Sequence, residues 1–295
     1  MHRRATGVAI IAAALGSALA VTSWASAADT KKPKVLYFTR NVGYEHSVVH
    51  RNGDALSHSE TVFTELCRKI GIEVDCTKDG RVFDGDIDQY DAFVFYTNGD
   101  LTKPNKRNVP PMSAAGKQRL LDAVGAGKGF VGFHSTCASW RTPGPRDENR
   151  PAKLDPFLAM LGGEFIAHGA QQKATMRVVS RGFPGADEVG GAFALHEEWY
   201  SLKNFANDLH VILVQETNHM QGGLYQRPPY PATWARRQAK GRVFYTSMGH
   251  REDVWTNDVF QQVVGGGVLW AVGHVEVDVS PNLNSVAPDA MQLKN

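Results

Sequence analysis

KGFVGFHSTCASW, Lys128 to Trp140, reads as a strand that stops at a polar turn. Phe130, Val131 and Phe133 form a short apolar run entered through Gly127 and Gly129, and the run ends abruptly at His134, Ser135, Thr136 and Cys137. A run of this kind predicts a buried strand followed by a turn. In open α/β sheets ligands bind beyond the carboxyl ends of the strands, so the turn is a candidate site. An ordinary loop carrying one histidine is the alternative.

Upstream, three more apolar runs have the look of parallel strands covered on both faces: Lys34 to Thr39, Ile72 to Cys76, and Ala92 to Thr97. A helix is expected from about Ala55 to Ile70, with Val62, Leu66 and Ile70 on one face and Gly71 at its end. Leu101 to Met112 contains Pro104, Pro110 and Pro111 and is therefore a loop. Ser113 then caps a helix ending near Val124, whose core face carries Leu120, Leu121 and Val124. Successive βα units require right-handed crossovers, which predicts an α/β fold: a doubly wound, mostly parallel, flavodoxin-like sheet in three layers.

Downstream, the segment from Arg141 to Lys153 is polar and proline-rich, a loop that would sit beside the site as a lid. Phe157 to Leu161 is expected as a short helix, and Glu164 to His168 brings a further histidine back. Ala174 to Val179 and His210 to Gln215 read as strands separated by a loop containing HEEWY, His196 to Tyr200. Ala232 to Ala235 and Arg242 to Thr246 form a hairpin about Gly241, and Ser247-Met248-Gly249-His250 follows it, repeating the pattern of strand, small residues and histidine. The last helix runs from Asp258 to about Val272 with Phe260, Val263, Val264 and Val268 inward. Gly265, Gly266 and Gly267 each weaken it by about 1 kcal/mol relative to alanine, so close packing is expected to require their small size. Residues 28–275 then make one domain, and the polar tail over 276–295 is expected to be loose.

Arg3 and Arg4, an apolar run from Val8 to Val21, and Ala25-Ser26-Ala27 predict a signal peptide over residues 1–27, cut after Ala27, and hence a secreted or periplasmic protein. The run is shorter than the roughly 20 residues a spanning helix needs, so no membrane attachment is expected after cleavage. Cleavage removes two of the 32 Lys+Arg and none of the 30 Asp+Glu, leaving a formally neutral chain. Neutrality without basic runs argues against nucleic acid, whose binding needs a phosphate-neutralising patch, and favours a small-molecule carbohydrate. Oligomeric state is left open. Of the three cysteines, Cys67 and Cys76 are close enough in the predicted topology for a bridge to be conceivable, while Cys137 lies by the turn.

KVLYFTRNVGYEHS (34–47), GKGFVGFHS (127–135), LGGEFIAH (161–168), EEWY (197–200) and PATWARRQAKGRVFYTSMGH (231–250) followed by VLWAVG (268–273) together resemble the ThuA-like family, named for trehalose utilisation. The resemblance runs from Lys34 to Gly273 and implies a class I glutamine amidotransferase-like fold and an association with sugar utilisation. In glutamine amidotransferases the turn after the corresponding strand carries a nucleophilic cysteine. Here that position is His134, and Cys137 lies three residues further on, so amidotransferase chemistry is not expected.

His46, His134 and His250 each follow an apolar strand, so a parallel sheet would gather them at one rim. Glu198 joins them as an expected acid, base or ligand, with Tyr44, Glu45, Ser135, His168, Tyr200 and Trp234 as substrate-binding candidates. Aromatic faces suit the apolar CH patches of sugar rings, and imidazoles and carboxylates suit their hydroxyls. Two chemistries fit: acid–base catalysis by imidazole and Glu198, or a divalent ion held by His46, His134 and His250. A sugar-binding protein without turnover and a hydrolase using Ser135 or Cys137 are the alternatives.

Overall fold

The structure, a computed structural model, describes residues 31–294, so the expected signal peptide lies outside the described residues. In chain order the strands are β1 (Lys34–Phe38), β2 (Glu73–Thr77), β3 (Ala92–Phe95), β4 (Gly129–Phe133), β5 (Glu164–His168), β6 (Gln172–Val178), β7 (Ala192–Glu197), β8 (Tyr200–Lys203), β9 (His210–Glu216), β10 (Tyr230–Gln238) and β11 (Gly241–Thr246). The α-helices are α1 (His58–Lys69), α2 (Ala114–Ala126), α3 (Pro156–Leu161), α4 (Glu252–Trp255), α5 (Asp258–Ala271) and α6 (Leu283–Val286).

Among the described residues, nine strands form one sheet in the order β2-β1-β3-β4-β11-β10-β9-β6-β7, and β5 pairs with β8 apart from it. The first five neighbours are parallel. From β11 onward each strand is antiparallel to the one before it. Two reversals restore direction, so β9 and β7 point the same way as the parallel five. The carboxyl ends of β1, β3, β4, β11 and β7 therefore share one direction, and that sets where the site can form.

Alternate residues of the central strands feed two apolar clusters. Val35, Tyr37, Val94 and Val131 enter one, with Phe63 of α1 and Val264 of α5. Leu36, Phe38, Phe95 and Phe130 enter the other, with Leu120 of α2 and Phe157 of α3. Burial on both faces is what continuous apolar strands require, and the arrangement is compatible with the doubly wound, flavodoxin-like expectation.

Several local readings change. The first helix begins at His58, three residues later than expected, because Ser57 closes a capping box with Glu60. HEEWY is no loop: His196 and Glu197 end β7, and Tyr200 opens β8. At the sheet edge β7 is only partly buried, so its alternation is faint in sequence. The tail over 276–295 is not loose as a whole. Leu283, Ala287 and Ala290 are buried, and Asn282 exchanges hydrogen bonds with both the N–H and the carbonyl of Val211. Cys67, Cys76 and Cys137 are all free thiols, so the conceivable bridge is not formed.

Candidate functional site

Strand β4 ends at Phe133, and the next residue, His134, has φ 39°, a left-handed conformation that is costly for a side chain other than glycine. A 3-10 turn from His134 to Ala138 follows. Because Phe133 pairs with Thr246 at the end of β11, Ser247 lies beside the turn. The Nδ1–H of His134 donates to the Ser247 carbonyl at 2.8 Å. That bond fixes the ring and leaves its Nε2 with a lone pair.

The β11 end is tied in turn. Gly249 adopts φ 111°, which favours glycine, and its carbonyl accepts from the Tyr96 hydroxyl at 3.1 Å and the Trp255 indole at 2.8 Å. Its N–H and that of His250 donate to Glu197 Oε2 at 2.9 and 3.0 Å, while Glu197 Oε1 accepts the N–H of Glu198 at 2.8 Å. Glu197 thus fastens the end of β7 to the end of β11. Burial pushes its carboxyl up to about 7, against the pull of these three N–H groups toward the anion.

Glu198 reaches the other way. Its Oε2 lies 3.1 Å from His250 Nδ1 and 3.5 Å from His134 Nε2, and its Oε1 lies 3.1 Å from His168 Nδ1. His134 Nε2 and His250 Nδ1 are 3.3 Å apart. The buried ring of His46 stands nearly perpendicular to both, with ring centroids 5.0 and 5.1 Å away, and its Nε2 is 3.4 Å from the Tyr200 hydroxyl. Burial, with the neighbouring imidazoles, drives the His46 and His134 rings toward the neutral form. Burial opposes ionisation of Glu198 too, but its contacts with the facing nitrogens of His134 and His250 win and hold it well below the usual carboxylate range. The centre therefore presents an anionic carboxylate beside the neutral rings of His46 and His134.

A cleft of about 570 Å³ opens onto this cluster, with Tyr44, Phe165 and Tyr200 as aromatic walls and Arg141 and Arg146 at one side. Tyr44 is 66 % exposed, an unusual setting for a large aromatic ring. Ser135 lines the cleft with its Oγ buried and unpartnered, and His168 stands at the mouth. Among the expected residues the structure brings together His46, His134, His250, Glu198, His168, Tyr44, Ser135 and Tyr200.

Two expected residues stand elsewhere. The Glu45 carboxylate turns away to His50, Lys78 and Arg107, because the Lys78 and Arg107 cations compensate its charge better than the cleft would. Trp234 is fully buried in β10, with its indole donating to the Leu161 carbonyl at 2.8 Å and its ring against Tyr245, so no face is left for a sugar. Trp199 is likewise buried. Cys137 is enclosed, its thiol pushed up to about 12 by burial, and it donates to the His134 carbonyl, which makes it a packing residue and no nucleophile. Sequence reasoning missed Glu197 as the tie, Tyr96, and Gln171, whose Nε2 lies 3.0 Å from His250 Nε2. Tyr96 could have been found, since it ends an apolar run as His134 does; Gln171 carries no local signal.

A largely co-directional α/β sheet with a strained polar turn beyond a central strand is compatible with the amidotransferase-like class of folds, with histidine in place of the nucleophile. Within it the chain belongs to the ThuA family, described as trehalose utilisation, whose model matches residues 34–271. A ThuA-like protein of Bacteroides uniformis superposes with TM-score 0.61 at 18 % identity, over 88 % of this chain and 98 % of that one. Another, from Parabacteroides merdae, superposes with TM-score 0.58 at 18 % identity, over 90 % and 100 %. A cytoplasmic protein of Salmonella typhimurium gives TM-score 0.51 at 11 % identity, over 80 % and 98 %. At these identities the likeness is one of fold. No curated protein matches the chain.

Proposed function

We propose that the chain is an exported enzyme acting on a glycoside or a modified sugar, such as an oxidised one, with His134, His250 and Glu198 performing acid–base work. The observation that carries this is the convergence of three histidines and an ionised glutamate, of which His46 and Glu198 line an aromatic-walled cleft. Three features support the chemistry. The neutral His134 ring is buried with its Nδ1–H engaged, so its Nε2 is the nitrogen that can take up a proton, reached from the cleft by way of Glu198. Gln171 Oε1 accepts from Arg251 at 2.7 Å, which turns its amide nitrogen toward His250 Nε2 and leaves His250 to donate its Nδ1–H to Glu198. Tyr44 and Phe165 offer faces for the apolar side of a sugar ring.

The test uses the full-length chain expressed in bacteria and recovered outside the cytoplasm, with its N-terminus read by mass spectrometry; Ala28 is expected first. Trehalose, other disaccharides and their oxidised forms are assayed for turnover and, by calorimetry, for binding. His134→Ala should reduce kcat by about 100-fold or more while leaving ligand affinity within a few-fold, as expected for loss of a general acid or base. Tight binding with no turnover of any of these sugars by the unsubstituted chain would instead establish a binding protein. Neither binding nor turnover would defeat the sugar reading.

A further inference from the structure

We propose that His46, His134, His250 and Glu198 together hold one divalent transition-metal ion of the zinc type. The argument starts from what the four side chains do without one. His134 gives its Nδ1–H to Ser247, so its Nε2 lone pair faces a carboxylate oxygen 3.5 Å away in a buried place, and these two acceptors have only the one His250 Nδ1–H between them, 3.3 and 3.1 Å away. His46 is 3 % exposed and its Nδ1 has no hydrogen-bond partner. Buried acceptors left in this state cost free energy, and a cation between them removes the cost.

The separations fit an ion. Two donors held at about 2.0–2.1 Å from one metal lie about 3.0–3.4 Å apart, the lower figure for right angles and the upper for a tetrahedron. His250 Nδ1 to Glu198 Oε2 is 3.1 Å, His134 Nε2 to His250 Nδ1 is 3.3 Å and His134 Nε2 to Glu198 Oε2 is 3.5 Å. The His46 nitrogen lies within 4.8 Å of the other three, so it is the ligand that must close in by some tenths of an ångström to reach an ion held by them. Imidazoles with a single carboxylate suit first-row transition ions better than calcium or magnesium, which take mostly oxygen.

The surrounding bonds are those that orient metal ligands: a backbone carbonyl on His134 Nδ1 and an imidazole, His168, on the second Glu198 oxygen. His250 is the ligand that must change. Binding displaces its Nδ1 proton, and the Gln171 amide turns so that its oxygen accepts the new Nε2–H. The ion would supply Lewis acidity at the cleft, and His134, His250 and Glu198 would then serve as ligands, leaving His168, beside the second Glu198 oxygen, as an imidazole not engaged by the ion.

The proposal shares the residues of the functional reading and replaces their acid–base role wherever the ion is bound, and the two fail separately: metal can bind without sugar turnover, and turnover by the metal-free chain would leave the acid–base reading standing. The full chain, without an affinity tag and stripped by chelator, is titrated with Co(II) and followed by its visible absorption. One equivalent per chain with the intense spectrum of a low-symmetry, imidazole-ligated site is expected. His250→Ala and Glu198→Gln should each weaken affinity by about 100-fold or more, and His168→Ala by about 10-fold, as a supporting neighbour does. His274→Ala, at an exposed residue, should change nothing. Binding weaker than about 0.1 mM, or binding that survives both ligand substitutions, overturns the site. The unsubstituted spectrum reports ligation on its own, so a variant that unfolds does not remove the test.

Discussion

Glu60 joins three segments with one carboxylate. It accepts from Thr39 at the end of β1 at 2.7 Å, from Arg51 at 2.7 and 2.8 Å, and from the Ser57 N–H at 2.8 Å. Burial raises its pKa, but these bonds outweigh burial and set the folded value below the ordinary one. A carboxyl lowered on folding adds stability that is complete above the unfolded value of about 4.3 and is lost as pH falls through the folded value. Glu60→Gln should therefore cost about 3 kcal/mol near neutral pH, because Arg51 loses its partner, and the gap from the parent should shrink in acid. Urea unfolding of both chains at about pH 7 and about pH 3 reads this; an equal gap at both would refute it. Among residues, His46, His134 and His250 were accessible from sequence because each follows an apolar strand. Glu45, one residue before His46, carried the same local signal and still turned to Lys78 and Arg107. Side-chain direction in a loop depends on partners supplied from elsewhere in the chain.

Helix α5 shows the same division within three consecutive glycines. A Cβ on Gly266 would fall 1.8 Å from the Pro184 carbonyl oxygen, and one on Gly267 would meet the Phe244 ring at 2.7 Å. A Cβ on Gly265 would find nothing nearer than Leu66 Cδ1 at 3.8 Å. The sequence-based expectation that all three need to be small therefore holds for two. Gly266→Ala should lose about 1–3 kcal/mol through forced backbone movement, whereas Gly265→Ala should gain up to about 1 kcal/mol from helix propensity. Thermal unfolding checks the pair, and a loss at both positions would show that Gly265 is also closely packed. The elements that sequence rendered well are β1, β3 and β4, with continuous apolar runs, and α1, with a helical period. Edge strand β7 and β5 were poorly rendered because partial burial leaves little pattern to detect, and β8 because its four buried residues, Tyr200 to Lys203, mix polar and apolar side chains.

For the molecule as a whole, the tail closes a face that the polar composition of 276–295 conceals. Arg227, buried, donates to the Ala290 carbonyl at 2.7 Å, Arg177 donates to the Val286 carbonyl at 3.1 Å, and Leu283 packs in the second apolar cluster. Deleting residues 280–295 should uncover that cluster and strand the Arg227 guanidinium, lowering Tm by roughly 5–10 °C. An unchanged Tm would mean the tail only rests on the surface.

The parallel frame and the histidines at its rim follow from the order of residues along the chain, since strand period, helix caps and the turn after an apolar run are properties of near neighbours. The place of Glu197 and Glu198 does not. It depends on two antiparallel reversals, at β10 and β6, which turn β7 back into the common direction and bring its end to Gly249 and His250. Those pairings join residues about fifty positions apart, and nothing in either segment alone announces the other.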